Sequence, residues 1–205
     1  MTIMPMFPLG CVLLPGVVLP LHVFEPRYQQ LVRDCLDTEE HEFGVVLIDR
    51  GSEVGGGDSR ADVGVIAKML QVAAMDAGRF ALVTVGTRRI RVKQWLSDDP
   101  YPRAEVEEWP DGPDSASTDR VAVTAGRARR CAGLAVEMGD QSNVPEGELT
   151  GDASYDSFLL TAISPFGPAD QYAALCAADP LARVDLIDRL LDDVEAGLQF
   201  RLGGL

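Results

Sequence analysis

The hydrophobic pattern changes period partway along the chain, and that change limits the fold more than any other feature. From Met1 to about Trp109 apolar and polar residues alternate and β-branched residues are frequent, as in strands with one buried face. Strands are predicted near Ile3–Pro8, Val17–Val23, Phe43–Ile48, Val63–Ala73, Phe80–Leu96 (bent at Gly86) and Arg103–Glu108. One helix interrupts them over Pro26–Leu36. Its proline suits the first helical turn, and Tyr28, Leu31, Val32 and Cys35 make an apolar stripe. The segment 109–117, Trp-Pro-Asp-Gly-Pro-Asp-Ser-Ala-Ser, opposes either regular structure and reads as a hinge.

Beyond it the period is helical. Val121, Ala125, Ala128, Ala132 and Ala135 share one face of a helix ending near Gly139. A short helix carries Phe158, Leu159, Ala162 and Ile163, and another runs from Pro168 to Ala178. Asp179-Pro180 then supplies the cap and first residue of a last helix bearing Val184, Ile187, Leu191, Val194, Leu198 and Leu202. Its acidic residues Asp185, Asp188, Asp192, Asp193 and Glu195 read as a solvated face rather than a metal site. The expected class is α+β: a β-rich lobe over residues 1–109 (barrel or sandwich with one helix), a hinge over 110–118 and a helical bundle over 119–205.

Several functions are disfavoured. A net charge of −14 repels phosphate, so nucleic acid is not an expected partner. No run approaches the ~20 apolar residues of a membrane span, and the N-terminus lacks a basic segment followed by an apolar run, so a cytoplasmic protein is expected. Cys11, Cys35, Cys131 and Cys176 lie too far apart for a metal knuckle or dense disulfide framework. No metal or cofactor is expected. The stretch Gly51–Ser59 is glycine-rich but lacks the Gly-Lys-Ser/Thr of a phosphate loop, so it reads as a loop. His22 and His41 are the only histidines, and neither falls in a recognisable catalytic motif.

The longest motif covers residues 7–28, Phe-Pro-Leu-Gly-Cys-Val-Leu-Leu-Pro-Gly-Val-Val-Leu-Pro-Leu-His-Val-Phe-Glu-Pro-Arg-Tyr. Physically it is strand, turn at Pro15-Gly16, strand and helix start, with Pro20 expected to disrupt the ladder locally or to lie on an edge. It resembles the opening of the N-terminal, substrate-binding domain of the ATP-dependent protease Lon, where a PL…VLFPG…LPLxVFExRY pattern recurs. The likeness continues through Val63-Gly64-Val65-Ile66-Ala67, Val85-Gly86-Thr87-Arg88-Arg89-Ile90 and Tyr101–Glu108, and more weakly through the later helices.

The resemblance implies a LON-type, PUA-like β lobe followed by helices. It assigns Pro15, Gly16, Pro20, Phe24, Glu25, Arg27, Tyr28, Gly64 and Gly86 a mainly structural role. It also implies a receptor for unfolded or degron-bearing polypeptides, with a protease or chaperone subunit as partner. With no phosphate loop and no Ser-Lys dyad motif in the chain, catalysis is not expected.

From the residues themselves, Arg89, Arg91, Lys93 and Trp95 alternate with Ile90, Val92, Gln94 and Leu96, so the first set should face outward as a basic stripe. Trp95, Tyr101 and Trp109 suit either core packing or anchoring of a partner. The expected binding surface comprises Trp95, Tyr101, Trp109, Arg89 and Arg91, with client backbone pairing at a sheet edge and apolar side chains held where the lobes join. A small-ligand regulator and an RNA-binding PUA-like protein are the alternative readings, the latter opposed by the acidic charge.

Overall fold

The structure is a computed structural model and describes residues 2–50, 59–113, 115–140 and 147–203. The chain is mixed α+β and separates into two units, 1–110 and 111–205.

The first unit orders its elements as β1 (Thr2–Leu9), β2 (Val18–Val23), α1 (Pro26–Leu36), β3 (Glu42–Arg50), β4 (Ser59–Ala74), β5 (Phe80–Trp95) and β6 (Arg103–Glu108). The strands run in the order β2-β5-β4-β3-β1-β6, and β6 also pairs with β5. Five strands therefore close into a ring, β5-β4-β3-β1-β6, which leaves β2 as an appendage. Among the described residues only β1 with β3 is parallel. Closure buries an interior of Met6, Val46, Ile66, Ile90, Val92, Ala104 and Val106, with Met4 and Trp95 packed against it.

Gly86 makes this topology possible. The first half of β5 pairs with β2 and the second half with β6, and the changeover falls at a β4–β5 register shift between Val65↔Arg89 and Ala67↔Gly86. Gly86 receives the Gly16 N–H on its carbonyl at 2.8 Å and donates its own N–H to the Val17 carbonyl at 3.0 Å. A Cβ there would lie 2.3 Å from the Leu14 carbonyl oxygen. The turn it holds has Gly16 at φ 80° after Pro15, with the Val17 N–H donating to the Leu14 carbonyl at 3.1 Å. Proline followed by a left-handed glycine is the sequence a type II turn requires. Pro20, with no N–H to offer, stands in β2, whose one strand partner among the described residues is β5.

The second unit contains α2 (Thr118–Glu137), α3 (Ala153–Ile163), α4 (Pro168–Leu175) and α5 (Pro180–Gly203). The alanine stripe of α2 is buried, and Leu159, Leu160, Ile163, Val184, Ile187 and Leu191 complete its apolar core. Side-chain caps sit where the sequence supplies them: Ser117 accepts from the Arg120 N–H, Asp152 from that of Tyr155 and Asp179 from that of Ala182.

Three expectations change in this unit. Helix α4 stops at Leu175 rather than Ala178, where the Ala177 N–H turns back to the Ala174 carbonyl at 3.2 Å, a tighter i→i−3 bond that closes the last turn. Leu202 lies past the packed stretch of α5 and is 49% exposed. The acidic face of α5 is also not simply solvated: Arg127 pairs with Asp188, Asp192 and Glu195, and Arg120 with Asp185 and Asp188, tying α5 to α2. Of the glycine-rich stretch, Ser59 opens β4 and residues 51–58 lie outside the described residues.

Candidate functional site

Alternation along the closed strands aims every second side chain into the barrel. At one end this interior opens into a cavity of about 600 Å³. Met4, Ile66, Ile90 and Val106 form its apolar depth, Thr2, Ile3 and Pro5 border it along β1, and Thr38, Glu40, Glu42, Glu107 and Glu108 surround the opening with Arg88. Barrel mouths are a usual place for ligand sites, and this volume lies within the usual range of ~300–1,000 Å³.

Arg88 organises the rim. It precedes Ile90 and Val92 at period two, so it belongs to the inward-facing set of β5. There it donates from Nη2 to Glu42 Oε2 of β3 and from Nε to Glu108 Oε1 of β6, each at 2.8 Å. The bond to Glu42 and the charges of both carboxylates raise the guanidinium pKa above its usual value, against the opposing effect of burial. Glu107 pairs with Lys93 at 2.9 Å. Glu40, exposed in the turn before β3, has no ion pair among the described residues.

The five residues proposed from sequence do not converge here. Arg89 points away from the barrel interior as the alternation requires, yet it is only 4% exposed, which corrects the expected outward stripe. Trp109 covers it: the Arg89 Nε–H donates to the Trp109 carbonyl at 3.0 Å, and the guanidinium lies 4.1 Å from the indole centroid. Half-buried Arg91 reaches the same ring at 3.9 Å.

Trp95 is corrected as well. A register shift between Val92↔Val106 and Gln94↔Glu105 places an extra residue in β5, so alternation reverses after Lys93. Lys93 and Gln94 are both exposed, and Trp95 turns toward the interior cluster with Arg60 at 4.9 Å from its ring. Tyr101 is buried and donates to Asp34 Oδ2 at 2.7 Å; burial first, then that bond and the Asp34 charge, push the phenol pKa upward. Trp95 and Trp109 thus mark opposite ends of the β5–β6 ladder.

The motif residues have clear structural positions. Tyr28 stacks on Phe7 at 4.1 Å, Arg27 lies 4.5 Å over the Tyr28 ring and pairs with Glu25 at 3.1 Å, and Phe24 is 56% exposed. A Cβ at Gly64 would meet the Val45 carbonyl oxygen at 2.3 Å. A smaller cavity of about 170 Å³ adjoins β2 between Phe7, Pro20, His22 and Tyr28. The Cys35 thiol is buried, which pushes its pKa up to about 12 and makes it a poor nucleophile.

Sequence reasoning missed the mouth. The available signal was Arg88, a charged residue in register with the inward-facing Ile90 and Val92, but its carboxylate partners are remote in sequence. Among the described residues no group of three or more His, Cys, Asp or Glu is placed to hold a metal ion. No helix among them is long and apolar enough to cross a membrane.

Residues 3–193 match the family of the ATP-dependent protease La (LON) substrate-binding domain. Over 110 residues the chain is 34% identical to Lon protease 2 of Sorangium cellulosum, a match covering 52% of this chain and 14% of that protein. Over 195 residues it is 26% identical to Lon protease 2 of Myxococcus xanthus, covering 93% and 23% respectively. The matched region is therefore less than a quarter of either relative. The crystal structure of a Lon N-terminal domain protein from Xanthomonas campestris superposes with a TM-score of 0.67 at 29% identity, covering 90% of this chain and 96% of that one. The N-terminal domain of Mycobacterium avium complex Lon protease gives 0.61 at 21% identity, covering 94% and 99%, a likeness of fold.

Proposed function

This chain belongs to the family of the ATP-dependent protease La (LON) substrate-binding domain, and we propose that it is a non-catalytic polypeptide receptor whose barrel mouth seats apolar side chains of unfolded or degron-bearing clients. The observation that carries this reading is the cavity of about 600 Å³, open at one end and floored by Met4, Ile66, Ile90 and Val106. Each apolar side chain fully withdrawn from water there contributes about 1.5–3 kcal/mol, enough for reversible capture with low sequence specificity. Pro20 disfavours strand addition along β2, so side-chain burial is the preferred mode over sheet-edge pairing.

In this reading Trp109, Arg89 and Arg91 form a covered structural cluster, and Trp95 and Tyr101 support the β5–β6 connection. The protein would act as an adaptor, with a protease or chaperone subunit receiving the captured client in the cytoplasm.

The test is an anisotropy titration with a dye-labelled, unstructured Gly-Ser peptide carrying a central Leu-Leu-Phe. It is expected to bind, a peptide with Ser in place of that core is not, and the variant Ile3→Ser/Met4→Ser should weaken binding about tenfold. Binding that ignores both the core and the variant would refute the reading. The cavity volume also suits a small-molecule regulator; a compound that stabilises the protein against heat, while the peptide does not bind, would favour that alternative.

A further inference from the structure

We infer that the barrel mouth discriminates by charge, accepting apolar segments flanked by arginine or lysine and refusing those flanked by acidic residues. This deepens the reading of the mouth as a polypeptide seat and rests on it.

Among the lining residues, four carboxylates (Glu40, Glu42, Glu107 and Glu108) face one cation, Arg88. That cation is already engaged on both sides, with Nη2 on Glu42 and Nε on Glu108. Glu107 has Lys93 as its partner, so adding this residue still leaves four carboxylates against two cations. The excess surrounds an apolar floor, so a side chain that reaches Ile90 or Val106 must bring its neighbours past the rim.

An incoming Arg or Lys meets Glu40 in the exposed turn and the outer side of Glu108, which is 63% exposed in its side chain. An incoming Asp or Glu would meet like charge without a disengaged cation among the lining residues. The molecular charge of −14 adds a long-range term of the same sign.

Exposed ion pairs each change an equilibrium by roughly 1.4- to 5-fold. Two or three such contacts should favour a cationic segment by about tenfold over a neutral one, and salt should reduce the preference.

The experiment uses three peptides with one Leu-Leu-Phe core, flanked by Arg pairs, Ser pairs or Glu pairs and carrying a neutral dye. The full chain is titrated at low and high salt. The Arg-flanked peptide is expected to bind about tenfold tighter than the Ser-flanked one, and the Glu-flanked peptide least well.

The variant Glu40→Gln/Glu108→Gln should reduce that advantage to roughly two- to threefold. Glu137→Gln/Asp193→Asn removes the same formal charge from α2 and α5 and should leave it intact. Circular dichroism confirms that each variant is folded.

Equal binding of Arg- and Ser-flanked peptides overturns the charge selection while leaving the polypeptide reading standing. Equal loss in the rim variant and in the α2/α5 variant also overturns it, because net charge rather than the rim would then be responsible. Failure of all three peptides to bind overturns both readings, and so does binding of the Arg-flanked peptide that is indifferent to Ile3→Ser/Met4→Ser.

Discussion

Asp111→Ala should destabilise the second unit by about 3–5 kcal/mol, the expected cost of removing one partner of a buried ion pair. Arg183 has no exposed surface, and its guanidinium meets Asp111 through two contacts, Nη2 to Oδ1 at 2.5 Å and Nη1 to Oδ2 at 3.2 Å. After substitution Arg183 keeps the Ser157 hydroxyl, the Ala174 carbonyl and the face of Phe158, none of which carries formal negative charge. The Ser154 hydroxyl, which donates to Asp111, loses its acceptor as well. Urea unfolding followed by far-UV circular dichroism measures the cost.

The double variant Asp111→Ala/Arg183→Met tests the cause. Removing both charges leaves no stranded cation, so it should be more stable than the sum of the single variants by about 2 kcal/mol or more. A loss below about 1 kcal/mol for Asp111→Ala, or strict additivity in the double variant, would refute the argument that burial of an unpaired guanidinium sets the cost.

Gly86→Ala should cost about 2–4 kcal/mol, because the added carbon would stand 2.3 Å from the Leu14 carbonyl oxygen; faster amide exchange at Gly16 and Gly86 should accompany it. Normal exchange with wild-type stability would show that the turn accommodates a side chain. Tyr101→Phe removes the bond to Asp34 and should cost about 1–2 kcal/mol near neutral pH. Since the folded-state pKa of Tyr101 is raised, its stabilisation is present below the unfolded value of about 10 and is lost as pH rises through and above it. Denaturant midpoints measured across that range should therefore fall less steeply for the variant than for the wild type, and identical slopes would exclude the effect.

Much of the fold was legible because its determinants are local. The period of apolar residues located the strands and helices, Pro15-Gly16 specified its turn because proline fixes φ and glycine tolerates the positive φ that follows, and Asp179-Pro180 marked the start of α5. Reading failed where one inserted residue changed the outcome: the extra residue near Lys93 reversed Trp95, although the alternation before it was sound. Arg89 failed for another reason, since facing away from the barrel did not reveal that Trp109 would return to cover it.

The candidate site was less legible than the fold. Its apolar floor was foreseeable as the inward-facing face of strands, but the rim joins Arg88 to Glu108 across 20 residues and to Glu42 across 46. The Asp111–Arg183 pair spans 72, and its acid lies in a stretch whose composition suggests only a hinge.

By itself the sequence determined the succession of strands and helices, the turn and caps between them, and the family, because these depend on backbone preferences and side-chain order over a few neighbouring residues. Only the tertiary structure decided that five strands close, that the closed barrel opens at one end, and which charges meet there. Those outcomes depend on strand register and on contacts between distant residues, which local periodicity does not specify.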